Sequence, residues 1–189
     1  MSDKNIAKLI MSLSDPELIR RNIIKYYDKA KNVNSELCAE CGGECCKRCG
    51  CHFSPDDFED ISFEALKLEI KKGYISIDYV DGERILRSKG VYILRVRNKE
   101  RPIVDTGYVR KSGCILLTDK GCKLDYEHRP SGGRLLIPAE IEKSFWGENI
   151  RICKSTYGIK ECCYEWMPFQ KTIYELIDYY DKKDFPCSI

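Results

Sequence analysis

Six of the chain's twelve cysteines fall between positions 38 and 51: Cys38, Cys41, Cys45, Cys46, Cys49 and Cys51. His52 follows directly, and the string reads C-A-E-C-G-G-E-C-C-K-R-C-G-C-H. No apolar core asks for that density of thiols, whereas thiolates are soft ligands for zinc, Cu(I) and iron–sulfur clusters. Such a stretch folds around a metal or around disulfides, and the compartment decides between them. The opening Met1-Ser-Asp-Lys-Asn has no basic segment leading into a long apolar one, and no apolar run approaches the ~18 residues a membrane helix needs. A cytoplasmic location is therefore expected, where thiols stay reduced and clustered cysteines read as metal ligands or redox groups. A disulfide framework fits less well. The chain is larger than most disulfide-dense domains, and the Cα atoms of adjacent cysteines such as Cys45 and Cys46 sit about 3.8 Å apart.

At 189 residues the chain suits a single domain, long enough for a real core. Its 32 basic and 30 acidic residues leave a formal charge of +2. That balance makes no case for nucleic acid as a partner. Arg84, Arg87, Lys89, Arg95, Arg97, Lys99 and Arg101 recur along one stretch, and read as solvated charge on a half-exposed sheet.

The spacing predicts a helix over 15–31, with Asp15 as N-cap and Pro16 in the first turn. The cysteine loop covers 38–53, and its Gly42-Gly43 pair permits close backbone approach. Ser54-Pro55-Asp56-Asp57 reads as a helix start, with helical pattern to about Lys72 and Gly73 beyond it. Residues 74–80 and 91–97 alternate like strands, with Asp81-Gly82 as a hairpin signal. Residues 103–110 and 114–118 offer two more strands, and Asp119-Lys-Gly121 a turn. Glu140–Trp146 reads as a short helix, and Lys160–Lys183 as helix broken by Pro168. The expected class is α+β: a small antiparallel sheet flanked by helices, with a cysteine-rich metal loop, and a C-terminal helical segment over about 139–185.

A C-x2-C loop aims two sulfurs at one ion but needs further donors. Gly113-Cys114 and Gly121-Cys122 offer them from turn-like contexts, tying the loop to the sheet and adding folding free energy on metal binding. Cys41-x4-Cys46-x2-Cys49 also fits a plant-type ferredoxin spacing. In Cys45-x3-Cys49-x2 the third position is His52 rather than cysteine, so a radical-enzyme motif is absent. Cys153, Cys162, Cys163 and Cys187 stand outside this set; Cys162-Cys163 lies on the predicted C-terminal helix and suits packing or a second site. Four-coordinate zinc needs four groups, and the surplus of donors tips the cofactor slightly toward iron or an iron–sulfur cluster, with zinc close behind.

The C-x2-C-x3-C-C motif, Gly113-Cys-Ile-Leu-Leu117, Gly121-Cys-Lys-Leu-Asp-Tyr-Glu-His-Arg-Pro130 and Arg134-x3-Pro138 together resemble the YkgJ-type cysteine-cluster family. The resemblance covers about residues 38–138 and implies a zinc- or iron-chelating domain with Cys38, Cys41, Cys45, Cys46, Cys114 and Cys122 as ligands. Two positions depart from the pattern. A cysteine of the family is Gly133 here, and the tyrosine falls one place late, at Tyr126. Cys49, Cys51, His52 or Cys153 must then complete the set. Arg129 and Arg134 offer guanidinium groups to thiolates or to a buried carboxylate. Some relatives carry flagellin lysine N-methylase activity. A metal-dependent group-transfer enzyme, and an adaptor with a purely structural zinc and a protein partner, are therefore the alternatives to a metal-binding function. No nucleotide or methyl-donor signature accompanies them.

Overall fold

The computed structural model describes residues 43–81, 90–106, 113–119, 121–143, 149–155 and 158–184. The helix expected over 15–31 lies outside them, as do Cys38, Cys41 and Cys187. The described elements run α1 (Glu44–Arg48), α2 (Phe63–Lys71), β1 (Ile75–Val80), β2 (Val91–Val96), β3 (Val104–Asp105), β4 (Leu117–Thr118), β5 (Gly121–Cys122), α3 (Ser131–Arg134), β6 (Leu136–Lys143), β7 (Asn149–Ser155), α4 (Ile159–Trp166) and α5 (Gln170–Asp184). This is an α+β fold with small sheets.

The helix expected from Ser54 starts later. Ser54 and Asp57 do form a capping box, but around a single 3-10 turn, Pro55–Asp57, after which Phe58 turns extended. Ser62 then caps α2 by accepting from the Ala65 amide. Gly73 ends that helix at φ 89°, where its amide donates to Ile70 O at 2.9 Å. At the other end Pro168 sits in a 3-10 turn, Met167–Phe169, separating α4 from α5.

β1 and β2 are antiparallel, with Ile75↔Val96, Ser76↔Arg95, Ile77↔Leu94, Asp78↔Ile93 and Tyr79↔Tyr92 in register. Their connection spans 81–90, of which 82–89 lie outside the described residues. β3 joins β1 in parallel (Asp78↔Asp105), so the sheet is mixed rather than purely antiparallel. One face carries Ile75, Ile77, Leu94 and Val96, all buried with Leu66 and Ile70 of α2, Trp166 of α4, and Ile173 and Leu176 of α5. Gln170 binds both the amide and the carbonyl of Tyr92, at 3.0 and 2.7 Å, on the side of β2 where, among the described residues, no named strand pairs with it. The other face carries Ser76, Asp78 and Arg95. The Arg95 guanidinium pairs with Asp78, and Arg101 with Asp105. Two members of the basic run are thus partnered within the sheet rather than solvated.

Where a short helix is expected over 140–146, residues 140–143 are strand, and 144–146 lie outside the described residues. β6 pairs with β7 antiparallel, from Leu136↔Ser155 to Lys143↔Asn149, with a register shift between Pro138 and Ile141. The register shift lies next to Pro138, and a bulge tolerates a proline that a strand interior would not. The C-terminal helical region therefore begins at Ile159, not near 139.

Cys162 and Cys163 are fully buried in α4. The Cys162 thiol donates to Phe53 O at 3.4 Å, and Trp166 Nε1 donates to the same carbonyl at 2.8 Å. Burial, with the Glu161 charge adding, pushes the Cys163 thiol from 9.0 up to about 12. The unfolded chain therefore loses this proton first. Stability should be intact below pH 9 and fall as pH rises toward 12, by about 1.4 kcal/mol per unit. Denaturation of wild type and Cys163→Ala across pH 8–11 reads this term as the difference in slope; equal slopes would refute it.

Candidate thiolate site

α1 carries Cys45 and Cys46. Gly43 precedes it with a φ of 76°, a left-handed conformation that favours glycine, and a Cβ there would lie 2.7 Å from Leu117 Cδ1, so the leucine would have to shift. The basic last turn of α1, Lys47 and Arg48, suits the helix C-terminus. The Cys46 carbonyl accepts from the Cys114 amide at 2.7 Å. Cys114 is buried and bridges Asn98, and Ile115 N donates to Arg97 O at 3.0 Å. Leu117 pairs with Cys122 across the β4–β5 hairpin, turned at Gly121. Backbone contacts thus bring the segments bearing Cys46, Cys114 and Cys122 to one place, and all three cysteines pack on the core.

The next segment lies along β2. Phe53 N donates to Leu94 O at 2.9 Å, Val96 N donates to Cys51 O at 2.8 Å, and His52 bridges Arg95. Gly50 is the fixed point. Its amide donates to Asn98 Oδ1 at 2.7 Å, its carbonyl accepts from Arg95 Nε at 2.9 Å, and a Cβ there would stand 2.0 Å from Val96 O. Arg95 Nη2 lies 3.4 Å from Cys49 Sγ.

A third segment closes on the second. Gly132 N donates to His52 O at 3.0 Å, and a Cβ on Gly133 would lie 3.0 Å from Cys51 Sγ. The position where the resembled pattern has a cysteine thus abuts Cys51. This turn is held by Asp57, whose carboxylate accepts from Ser54 N, from Ser131 N and Oγ, and from Arg134 Nη2 at 2.5 Å. Burial raises the Asp57 carboxyl, opposed by the Ser131 hydrogen bonds and the Arg134 charge. Burial likewise raises Asp78, opposed by Arg95.

Arg134 therefore serves a buried carboxylate, and Arg129 donates to Leu124 O at 3.2 Å. The guanidinium that reaches a cysteine is Arg95. In the sequence Arg95 reads as solvated charge, and its pairing opposite Ser76 emerges only from the sheet register. His128 lies on the surface, paired with Asp125 at 2.6 Å. Of the predicted donors, Cys38 and Cys41 are outside the described residues, and the side chains of Cys45 and Cys153 are not described. Among the described residues, no three His, Cys, Asp or Glu side chains form a group able to hold an ion, and no helix is long and apolar enough to cross a membrane. Comparison with known proteins returns no matching family model, curated protein or solved structure.

Proposed function

We propose that this chain is a cytoplasmic metal-binding protein whose 38–52 segment holds iron or an iron–sulfur cluster, with zinc the close alternative. Cys38, Cys41, Cys45 and Cys46 form the ligand core, with Cys49, Cys51, His52, Cys114 and Cys122 as candidates to complete it. The observation that carries this reading is the 2.7 Å hydrogen bond from the Cys114 amide to the Cys46 carbonyl, which ties the dense segment to a distant cysteine. The donor set fits: it is rich in thiolate, with one imidazole, and exceeds what one tetrahedral ion needs. Cys51 against Gly133 supports its use as the replacement donor in a YkgJ-type pattern. When bound, an iron–sulfur group would supply one-electron chemistry, and zinc would supply folding free energy.

Anaerobic purification with visible absorption and metal analysis tests this. Broad visible absorption with iron and sulfide supports a cluster. A colourless protein with stoichiometric zinc moves the reading to a structural-zinc adaptor. Cys38→Ser and Cys41→Ser should each lower metal content several-fold, because thiolates are the ligands removed. Full occupancy in both variants, or a metal-free wild type, would refute the assignment.

A further inference from the structure

We propose that Arg95 is a positioning residue of the thiolate site: its guanidinium fixes Cys49 beside the sheet and hydrogen-bonds the Cys49 sulfur while that sulfur binds metal. This rests on the metal-binding reading above.

Three groups converge on this one side chain. Nη2 is 3.4 Å from Cys49 Sγ, Nε donates to Gly50 O at 2.9 Å, and Nη1 lies 3.3 Å from Asp78 Oδ2. The Arg95 and Asp78 side chains are each only 13% exposed. Asp78 is held in turn by the Ser76 hydroxyl, which donates at 2.6 Å. A guanidinium presents its donors in a rigid planar fork, so it can hold a sulfur, a carbonyl and a carboxylate together. An ammonium on a flexible stem cannot keep all three. Arg95 also sits within strand β2: it pairs with Ser76 of β1 on one side and bridges His52 of the cysteine segment on the other. The donor therefore comes from a rigid strand and reaches out to the loop. Asn98 completes the clamp by accepting from the Gly50 amide.

Two consequences follow for a metal held through Cys49. The loop is ordered before the metal arrives, so binding costs less conformational entropy. A hydrogen bond into a ligating sulfur also withdraws negative charge from it, which raises the reduction potential of an iron–sulfur group and makes a zinc thiolate less nucleophilic.

A double-mutant cycle on the full metal-loaded chain tests the proposal: wild type, Arg95→Lys, Cys49→Ser and the double variant, read by chelator competition. Arg95→Lys should release metal about 10-fold more readily, within the range for loss of a partner to a metal ligand. It should add little once Cys49 is serine. With an iron–sulfur group, the potential should fall in Arg95→Lys; with zinc, Cys49 should alkylate faster. If Arg95→Lys does not fold, Arg95→Gln takes its place in the cycle. Additive effects of the two substitutions, or metal retention in Cys49→Ser equal to wild type, would overturn the proposal and leave the metal reading standing. A wild type that binds no metal would remove both.

Discussion

Gly50→Ala is expected to destabilise the protein by about 3 kcal/mol and, on the metal-binding reading proposed above, to strip most of the metal. The new Cβ would stand 2.0 Å from Val96 O, 2.7 Å from Val96 C and 2.8 Å from Val96 Cβ. Two of these neighbours are backbone atoms of β2, which cannot rotate aside. The cysteine segment must move off the strand instead. That motion stretches the hydrogen bonds of Gly50 to Asn98 and Arg95, and that of Cys51 O to Val96 N. Overpacking costs about 1–3 kcal/mol, and each buried hydrogen bond lost adds about 1 kcal/mol. Because Cys49 and Cys51 flank Gly50, the same motion misplaces two candidate sulfurs. Urea denaturation and metal analysis measure both effects. A variant within about 0.5 kcal/mol of wild type, with full metal content, would show that the segment does not depend on this contact.

The need for glycine at position 50 comes from a contact that the local sequence does not show. The glycine is required by a strand passing over a carbonyl, not by a turn; its φ is not in the left-handed region. Such a contact joins residues 46 positions apart, and no local pattern encodes it. Period-two alternation and capping are local properties, and β1, β2, the end of α2 at Gly73 and the break at Pro168 were accordingly legible. The β6–β7 hairpin was not. Residues 140–143, the described part of the helix expected over 140–146, are weakly helical in isolation, and only pairing with 149–155 makes them a strand, an override of propensity by long-range contacts.

The same division holds for the site. Cysteine density marked the segment, because that chemistry is written in residue type. The role of Arg95 was hidden, since a charge on a strand reads alike whether it faces water or a partner. Its partners Cys49 and Asp78 come from 46 and 17 positions away. Arg134 shows the other side of this: the sequence leaves thiolates and a buried carboxylate both open as its partners, and the fold gives it the carboxylate of Asp57, 77 positions distant.

Asp57→Ala should therefore be among the costliest substitutions outside the cysteines, at about 3–5 kcal/mol. The carboxylate is 5% exposed and Arg134 is 18% exposed, so removing the acid leaves a largely buried guanidinium without its counter-charge. It also leaves Ser131 N and Oγ and Ser54 N without their acceptor. The damage extends to the thiolate segment, because the Ser131–Arg134 turn carries Gly132 onto His52 and Gly133 onto Cys51. Arg134→Met in the Asp57→Ala background should recover part of the loss, since an uncompensated buried charge costs more than its absence. Urea denaturation of the two single variants and the double variant measures the coupling. A single-variant cost below about 1 kcal/mol, or a double variant no better than Asp57→Ala alone, would mean that Arg134 is solvated well enough to do without Asp57, and that the turn against Cys51 is held by something else.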